Sequence, residues 1–219
     1  MINPDDFIIA RKRKKYKFAR FANFENCFEA PDITPGEIIE RAGGKEITLE
    51  VGAGTALFAT ELARRHPERF FVATDVKADR LQTGAKQALE LGLANIIFIR
   101  IHTMQLSAAL PAQSVSEIWL TFSDPFPKTR QEKHRLSHPN FLGLYREVLK
   151  PGGVLHQKTD NHALFDYSLE QFVRGKWRIQ ELTYDLHESD LSDDYKIMTT
   201  FETRFVGEGL PIYLLSASC

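Results

Sequence analysis

Between Phe122 and Asn140 the chain reads Ser123-Asp124-Pro125-Phe126-Pro127-Lys128-Thr129-Arg130-Gln131-Glu132-Lys133-His134-Arg135-Leu136-Ser137-His138-Pro139. One carboxylate is set beside two prolines and followed by four cations, Lys128, Arg130, Lys133 and Arg135. Each proline fixes φ and removes an N–H, so the loop is stiff and presents Asp124 in one orientation. Such a carboxylate can accept hydrogen bonds from a donor edge and offset positive charge that grows on a reacting group. Ser123-Asp124-Pro125 alone would also make an Asx-type turn. A merely solvated face would mix signs, and Glu132 is the only acid among those cations.

A second constellation lies upstream. In Glu50-Val51-Gly52-Ala53-Gly54 two glycines separate an apolar run from a helical pattern. The missing Cβ atoms let backbone approach a ligand, and the helix that follows offers N–H groups. The dinucleotide fingerprint requires a further glycine at position 57, which is Leu, and that counts against a nicotinamide cofactor. Asp75 ends the next apolar run, about where an acid meets ribose hydroxyls. His134 and His138 have the four-residue spacing of a metal pair. No Glu follows His134, however, and Pro139 interrupts a helix there, so no metal is expected.

The elements that must position these residues follow from hydrophobic spacing. Thr34-Pro35-Gly36-Glu37 reads as an N-cap, an N1 proline and an N3 acid, giving a short helix to about Ala42 before Gly43-Gly44. Strands are expected at Glu46 to Val51, Phe70 to Asp75, Asn95 to Ile101, Glu117 to Phe122 and Val154 to Thr159. A final pair is expected at Trp177 to Leu182 and Pro211 to Leu215. Helices are expected from Leu57 to His66, Lys77 to Leu91 and Asn140 to Leu149. Alternating strands and helices make a parallel sheet covered on both faces, an α/β fold. The Asp124 loop then stands at the C-terminal end of a strand, where open α/β sheets place their ligands.

Composition sets the outer limits. At 219 residues, 43% hydrophobic and 26% charged, the chain is expected to be globular and to bury a large core. No apolar run approaches a membrane span, the start of the chain is not a signal peptide, and Cys27 and Cys219 form no Cys-x-x-Cys pair. A soluble protein of a reducing, cytoplasmic compartment is expected. The formal net charge is −1, yet Arg11 to Phe21 holds seven cations and no acid. The rest of the chain carries 21 basic and 29 acidic residues, a formal −8. Such a run can neutralise phosphates. A solvated tail would have the same charge pattern, but Tyr16, Phe18 and Phe21 favour docking. Residues 1–33 are therefore read as a basic N-terminal arm and 34–219 as the catalytic domain.

Taken together, the Glu50 to Gly54 turn, Asp75, the Asp124 to Arg135 run, Lys158-Thr159-Asp160 and Thr199-Thr200-Phe201-Glu202 resemble the bacterial tRNA (guanine-N7)-methyltransferase family. The resemblance covers Glu46 to Tyr213. It implies a class I, Rossmann-like methyltransferase fold with a mostly parallel seven-stranded sheet and helices on both faces. It implies transfer of methyl from S-adenosylmethionine (SAM) to N7 of guanosine in the tRNA variable loop, leaving S-adenosylhomocysteine. It assigns Glu50, Gly52, Gly54, Asp75, His102 and Thr103 to the cofactor and Asp124 to catalysis. It assigns Lys128, Arg130, Lys133, Arg135, Asp160, Thr199 and Glu202 to substrate or RNA. The implied partner is tRNA, with no membrane and no obligatory protein subunit, the chain acting as monomer or homodimer.

Three positions depart from the family's pattern, and one motif has a second reading. Phe126 replaces the family's Trp, Ala56 stands where such turns usually have a third glycine, and His102 stands where the family has an acid for the adenine amine. Thr-x-x-Glu at position 199 is also a helix capping box. Two rival readings are an amino-methyltransferase of a base or protein side chain, and a non-catalytic RNA-binding relative.

Overall fold

The computed structural model describes residues 1–9 and 11–219. They form two compact units, Met1–Pro111 and Ala112–Cys219. In the first, the order is α1 (Lys12–Asn23), β1 (Cys27–Glu29), α2 (Pro35–Ala42), β2 (Ile47–Val51), α3 (Leu57–Arg65), β3 (Phe70–Asp75), α4 (Ala78–Glu90), β4 (Ile96–Arg100) and α5 (Leu106–Ala109). The strands lie side by side as β1-β4-β3-β2, all parallel. Every residue of β2 is buried, as are the first five of β3 and the first four of β4. That explains why these strands read as continuous apolar runs rather than alternating ones.

The second unit contains β5 (Val115–Thr121), α6 (Pro139–Val148), β6 (Leu149–Thr159), α7 (His162–Arg174), β7 (Arg178–Thr183), α8 (Thr200–Gly207) and β8 (Tyr213–Ser218). Its strands lie in the order β5-β6-β8-β7. β5 and β6 are parallel, while β8 is antiparallel to both β6 and β7. β7 alternates between exposed and half-buried positions, as an edge strand should.

The α/β class with a mostly parallel sheet flanked by helices is as expected, but among the described residues the strands number eight rather than seven. The additional one is β1, three residues pairing Cys27, Phe28 and Glu29 with Phe98, Ile99 and Arg100. Three residues are too few to leave a periodic signal. No element is expected from spacing between Asp160 and Trp177, yet α7 stands there, capped by the Asn161 side chain accepting from the Leu164 N–H at 2.8 Å. β6 begins at Leu149, five residues before the expected Val154; elsewhere the expected elements agree to within a few residues, and α2 has its Thr34/Glu37 capping box.

The basic run Arg11 to Phe21 lies largely on α1. Phe21 is 1% exposed and Ala19 3%, and α1 packs on α4 and β1. Asn26 ties the same region down by donating to the Ala85 carbonyl at 3.1 Å. Arg11, Lys12, Arg13 and Arg20 remain exposed. Of the cations on α1, Lys14 approaches Asp79 at 3.9 Å and Lys15 approaches Asp5 at 3.8 Å.

Candidate active site

In the first unit Glu50, Gly52, Gly54 and Asp75, which the resemblance assigns to the cofactor, gather where β2 and β3 end. Gly52 and Gly54 have φ of 70° and 55°, a region that L side chains enter only at a cost. A Cβ built on Gly54 would meet nothing within 4 Å, so open space adjoins this backbone. The Gly54 N–H donates to Asp75 Oδ2 at 2.9 Å, and the Lys77 N–H donates to Asp75 Oδ1 at 2.8 Å. Asp75 is therefore fixed across the turn, with lone pairs to spare for hydroxyl donors. Glu50 is 2% exposed and accepts from the Ala59 N–H at 3.2 Å in the first turn of α3.

His102 caps a 3-10 turn, Thr103–Gln105, its Nδ1 accepting from the Met104 N–H at 3.3 Å. With Nδ1 so engaged, a neutral imidazole carries its proton on Nε2 and presents a donor outward. His102 lines a cleft of about 340 Å³ together with Glu29, Val76, Arg100, Ile101 and Gln105. An Arg100–Glu29 ion pair at 2.7 Å spans β4 and β1 beside it. Open backbone at Gly54, a braced ribose-type acid and an adjoining cleft fit a nucleoside cofactor.

One contributor escaped the motif reading. Gly84, in the middle of α4, would place a Cβ 2.7 Å from the Thr55 carbonyl oxygen and 2.9 Å from that of Ala56. Its own N–H donates to the Thr55 carbonyl at 2.9 Å. Glycine lets α4 lie against the cofactor turn. A glycine inside a helical pattern, which costs about 1 kcal/mol relative to Ala, was the available signal.

In the second unit the loop expected to hold the methyl acceptor leaves β5 through Phe122, with φ 49°, and continues to Phe126, with φ 42°. Each left-handed non-glycine conformation costs ~1–2 kcal/mol. Asp124, between them, is exposed. Phe122 is held by its N–H donating to the Lys158 carbonyl at 2.9 Å. Phe126 is held by Arg135, whose Nη2 donates to its carbonyl at 3.0 Å while Nε donates to the Pro125 carbonyl at 3.0 Å. Lys128, Arg130 and Lys133 are exposed, the last two on a 3-10 turn, Thr129–His134. Arg135 differs from them: it is 8% exposed, with its guanidinium 4.2 Å from the centre of the Tyr167 ring. His138 caps α6 by accepting from the Asn140 N–H.

Asp160 follows β6 half-buried, and desolvation pushes its carboxyl above the usual carboxylate range. Thr199 and Glu202 form the capping box of α8. Glu202 is fully buried; its Oε2 accepts from Lys158 Nζ at 2.9 Å and its Oε1 lies 2.9 Å from His187 Nε2. Lys158 Nζ also donates to the Ile197 carbonyl at 3.1 Å and to that of Tyr195. Glu202 thus faces protein groups, and Lys158 and His187 join it in a network that sequence reasoning missed.

An acidic turn with two left-handed glycines and a ribose-type acid one strand away in the first unit, and an Asp-Pro-aromatic-Pro loop in the second, are the features of a SAM-dependent methyltransferase. The comparisons agree: a family model described as "Putative methyltransferase" matches residues 44–215. A tRNA (guanine-N(7)-)-methyltransferase of Brevibacillus brevis is 37% identical over 92% of this chain and 94% of its own length. One of Bacteroides thetaiotaomicron is 35% identical over 92% and 83%. The chain belongs to the tRNA (guanine-N7)-methyltransferase family. Among solved structures, the 16S rRNA methyltransferase KamB superposes with TM-score 0.66 at 16% identity, covering 85% of this chain and 94% of that one. At that identity the likeness concerns the fold.

Proposed function

We propose that this protein transfers a methyl group from SAM to N7 of a guanosine in the tRNA variable loop. The observation that carries the reading is the acceptor loop, a lone exposed carboxylate on a braced Asp-Pro-Phe-Pro segment followed by the exposed cations Lys128, Arg130 and Lys133. When bound, SAM supplies an electrophilic methyl on a sulfonium. Glu50, Gly52, Gly54 and Asp75 would hold it, with His102 and Thr103 at the adenine end. Because His102 presents a donor, it would favour a ring-nitrogen acceptor over the exocyclic amine.

Guanine N7 already carries a lone pair, so no proton must be removed first. Asp124 accepts from the donor edge of the base and offsets the charge that grows on the ring, an orienting and electrostatic role. Asp160 assists at the same base, and Thr199 shapes the surroundings with the Glu202 network behind it. Lys128, Arg130 and Lys133 take phosphates, as do the exposed cations of residues 1–33. The base is reached by extrusion from its stack. The protein acts in the cytoplasm, as monomer or homodimer, with no obligatory second subunit.

Incubation of bulk tRNA with labelled SAM, followed by nucleoside analysis, tests the reading. Label in 7-methylguanosine supports it; label in another nucleoside, or none, overturns it. In the same assay Asp124→Ala should abolish transfer while leaving SAM affinity within about twofold, since it stands on the acceptor side.

A further inference from the structure

The cations of the acceptor loop are not alike. Lys128, Arg130 and Lys133 are exposed, whereas Arg135 is 8% exposed. Its guanidinium fork is spent on two main-chain oxygens, the Pro125 and Phe126 carbonyls, each at 3.0 Å. The Tyr167 ring on α7 covers it at 4.2 Å and Glu132 balances it at 3.6 Å. A cation so placed has little left to offer a phosphate. The two carbonyls it holds directly follow Asp124, in a segment whose Phe122 and Phe126 both have positive φ. Without an outside restraint such backbone relaxes to a commoner conformation.

We infer that Arg135 is a positioning residue of the acceptor loop rather than an RNA contact, holding the Asp124 carboxylate in its reactive orientation by clamping the next two carbonyls. The segment it closes, Pro125 to Arg135, contains the exposed Lys128, Arg130 and Lys133. Phosphate contacts made there and the aim of Asp124 are thereby set by one rigid bracket, formed before RNA arrives. Planar bidentate geometry is essential to it. Lysine would keep the charge but satisfy only one carbonyl at a time and could not stack on Tyr167 in the same way.

The inference rests on the proposed function for its kinetic arm and is independent of it in its structural arm. Arg135→Lys is compared with the parent protein and with Lys133→Ala. For a clamp, Arg135→Lys lowers kcat about 100-fold, the scale of a small misplacement of a reacting group. The Kd for tRNA and the slope of log affinity against log salt stay at parental values. Lys133→Ala instead weakens tRNA binding and flattens the slope by nearly one. The inference is overturned if Arg135→Lys keeps parental kcat, or if Arg135→Ala flattens the slope as Lys133→Ala does, which would make Arg135 a phosphate contact.

Hydrogen exchange reads the clamp without any reaction. The amides of Phe122 and Gln131, which donate to the Lys158 and Lys128 carbonyls, should exchange about tenfold faster in Arg135→Lys, with the β5 and β6 amides unchanged. Tyr167→Leu, which leaves the two hydrogen bonds in place, should give the same change at smaller size. Parental exchange at the Phe122 and Gln131 amides in both variants overturns the inference. If the parent itself methylates no tRNA, the proposed function fails while the exchange result still decides the clamp.

Discussion

Ala56 sits at φ 54° and ψ 26°, fully buried, at the N-cap of α3. A glycine would take that conformation without steric cost, which is why turns of this type usually carry one there. Ala56→Gly should therefore stabilise the protein, raising Tm by about 2 °C once the greater entropy of unfolded glycine is set against the relieved strain. Thermal unfolding checks it, and an unchanged or lower Tm would show that the buried methyl outweighs the strain. Asp160 works in the opposite direction. Its carboxyl is raised by burial, so the folded state retains the proton to higher pH than the unfolded chain, and stability falls as pH rises through that window. Asp160→Asn should unfold at higher temperature than the parent at pH 7. The difference should vanish near pH ~3, where the side chain is protonated in both states. Methyl transfer should fall in the same variant. At this scale the sequence shows residue type but not burial: Lys133 and Arg135 stand two apart in one basic run, and only packing against Tyr167 separates their roles.

Helix α4 shows what an element contributes beyond its residues. It approaches the cofactor turn through Gly84, whose N–H reaches the Thr55 carbonyl, and the Thr60 hydroxyl donates to the Ala56 carbonyl at 2.7 Å from the α3 side. Gly84→Ala would gain helix propensity of about 1 kcal/mol and lose ~1–3 kcal/mol to the clash. Either α4 or the turn must shift. The expected outcome is a lower Tm and a Kd for SAM raised about tenfold, equivalent to ~1.4 kcal/mol. Calorimetric titration checks it; normal SAM affinity would mean that α4 moves and the turn does not. Helix α8 illustrates a different limit of legibility. Thr199 and Glu202 could be read as a capping box or as site residues; the box is formed, and Glu202 uses the same carboxylate to hold Lys158. Lys158 and His187 lie 44 and 15 residues from it, too far apart for any local pattern to join them.

Across the whole molecule, charge is distributed far less evenly than a net −1 suggests. Half a dozen cations stand on one docked helix, α1, so the basic run has a fixed shape and its salt response is that of a surface rather than a tail. Reversing Lys12, Arg13 and Arg20 to Glu should weaken tRNA binding and flatten the dependence of log affinity on log salt by close to one for every phosphate no longer neutralised. SAM affinity should not change. An unaltered slope would show that α1 faces away from RNA. The strongly apolar strands of both units and the two motif loops were legible because buried parallel strands and glycine or proline turns leave local marks. Helix α1 was read only as charge with interleaved aromatics, because Ala19 and Phe21 alone among its residues are buried and its polar face dominates the composition.

The position of β8 has a consequence for how the chain comes into being. In the second unit β8 lies between β6 and β7 although it follows both in the chain. During synthesis β6 and β7 therefore emerge with no partner for the edges that β8 will join, and the four strands can close only once Tyr213 to Ser218 have left the ribosome. The first unit closes in the same manner, β4 joining β1 to β3 last, but it is complete by Arg100, and nascent chains fold such units as they appear. A translational pause after β7 would leave two open edges exposed to passing chaperones or to neighbouring nascent chains. A premature stop just before Tyr213 would make that state permanent.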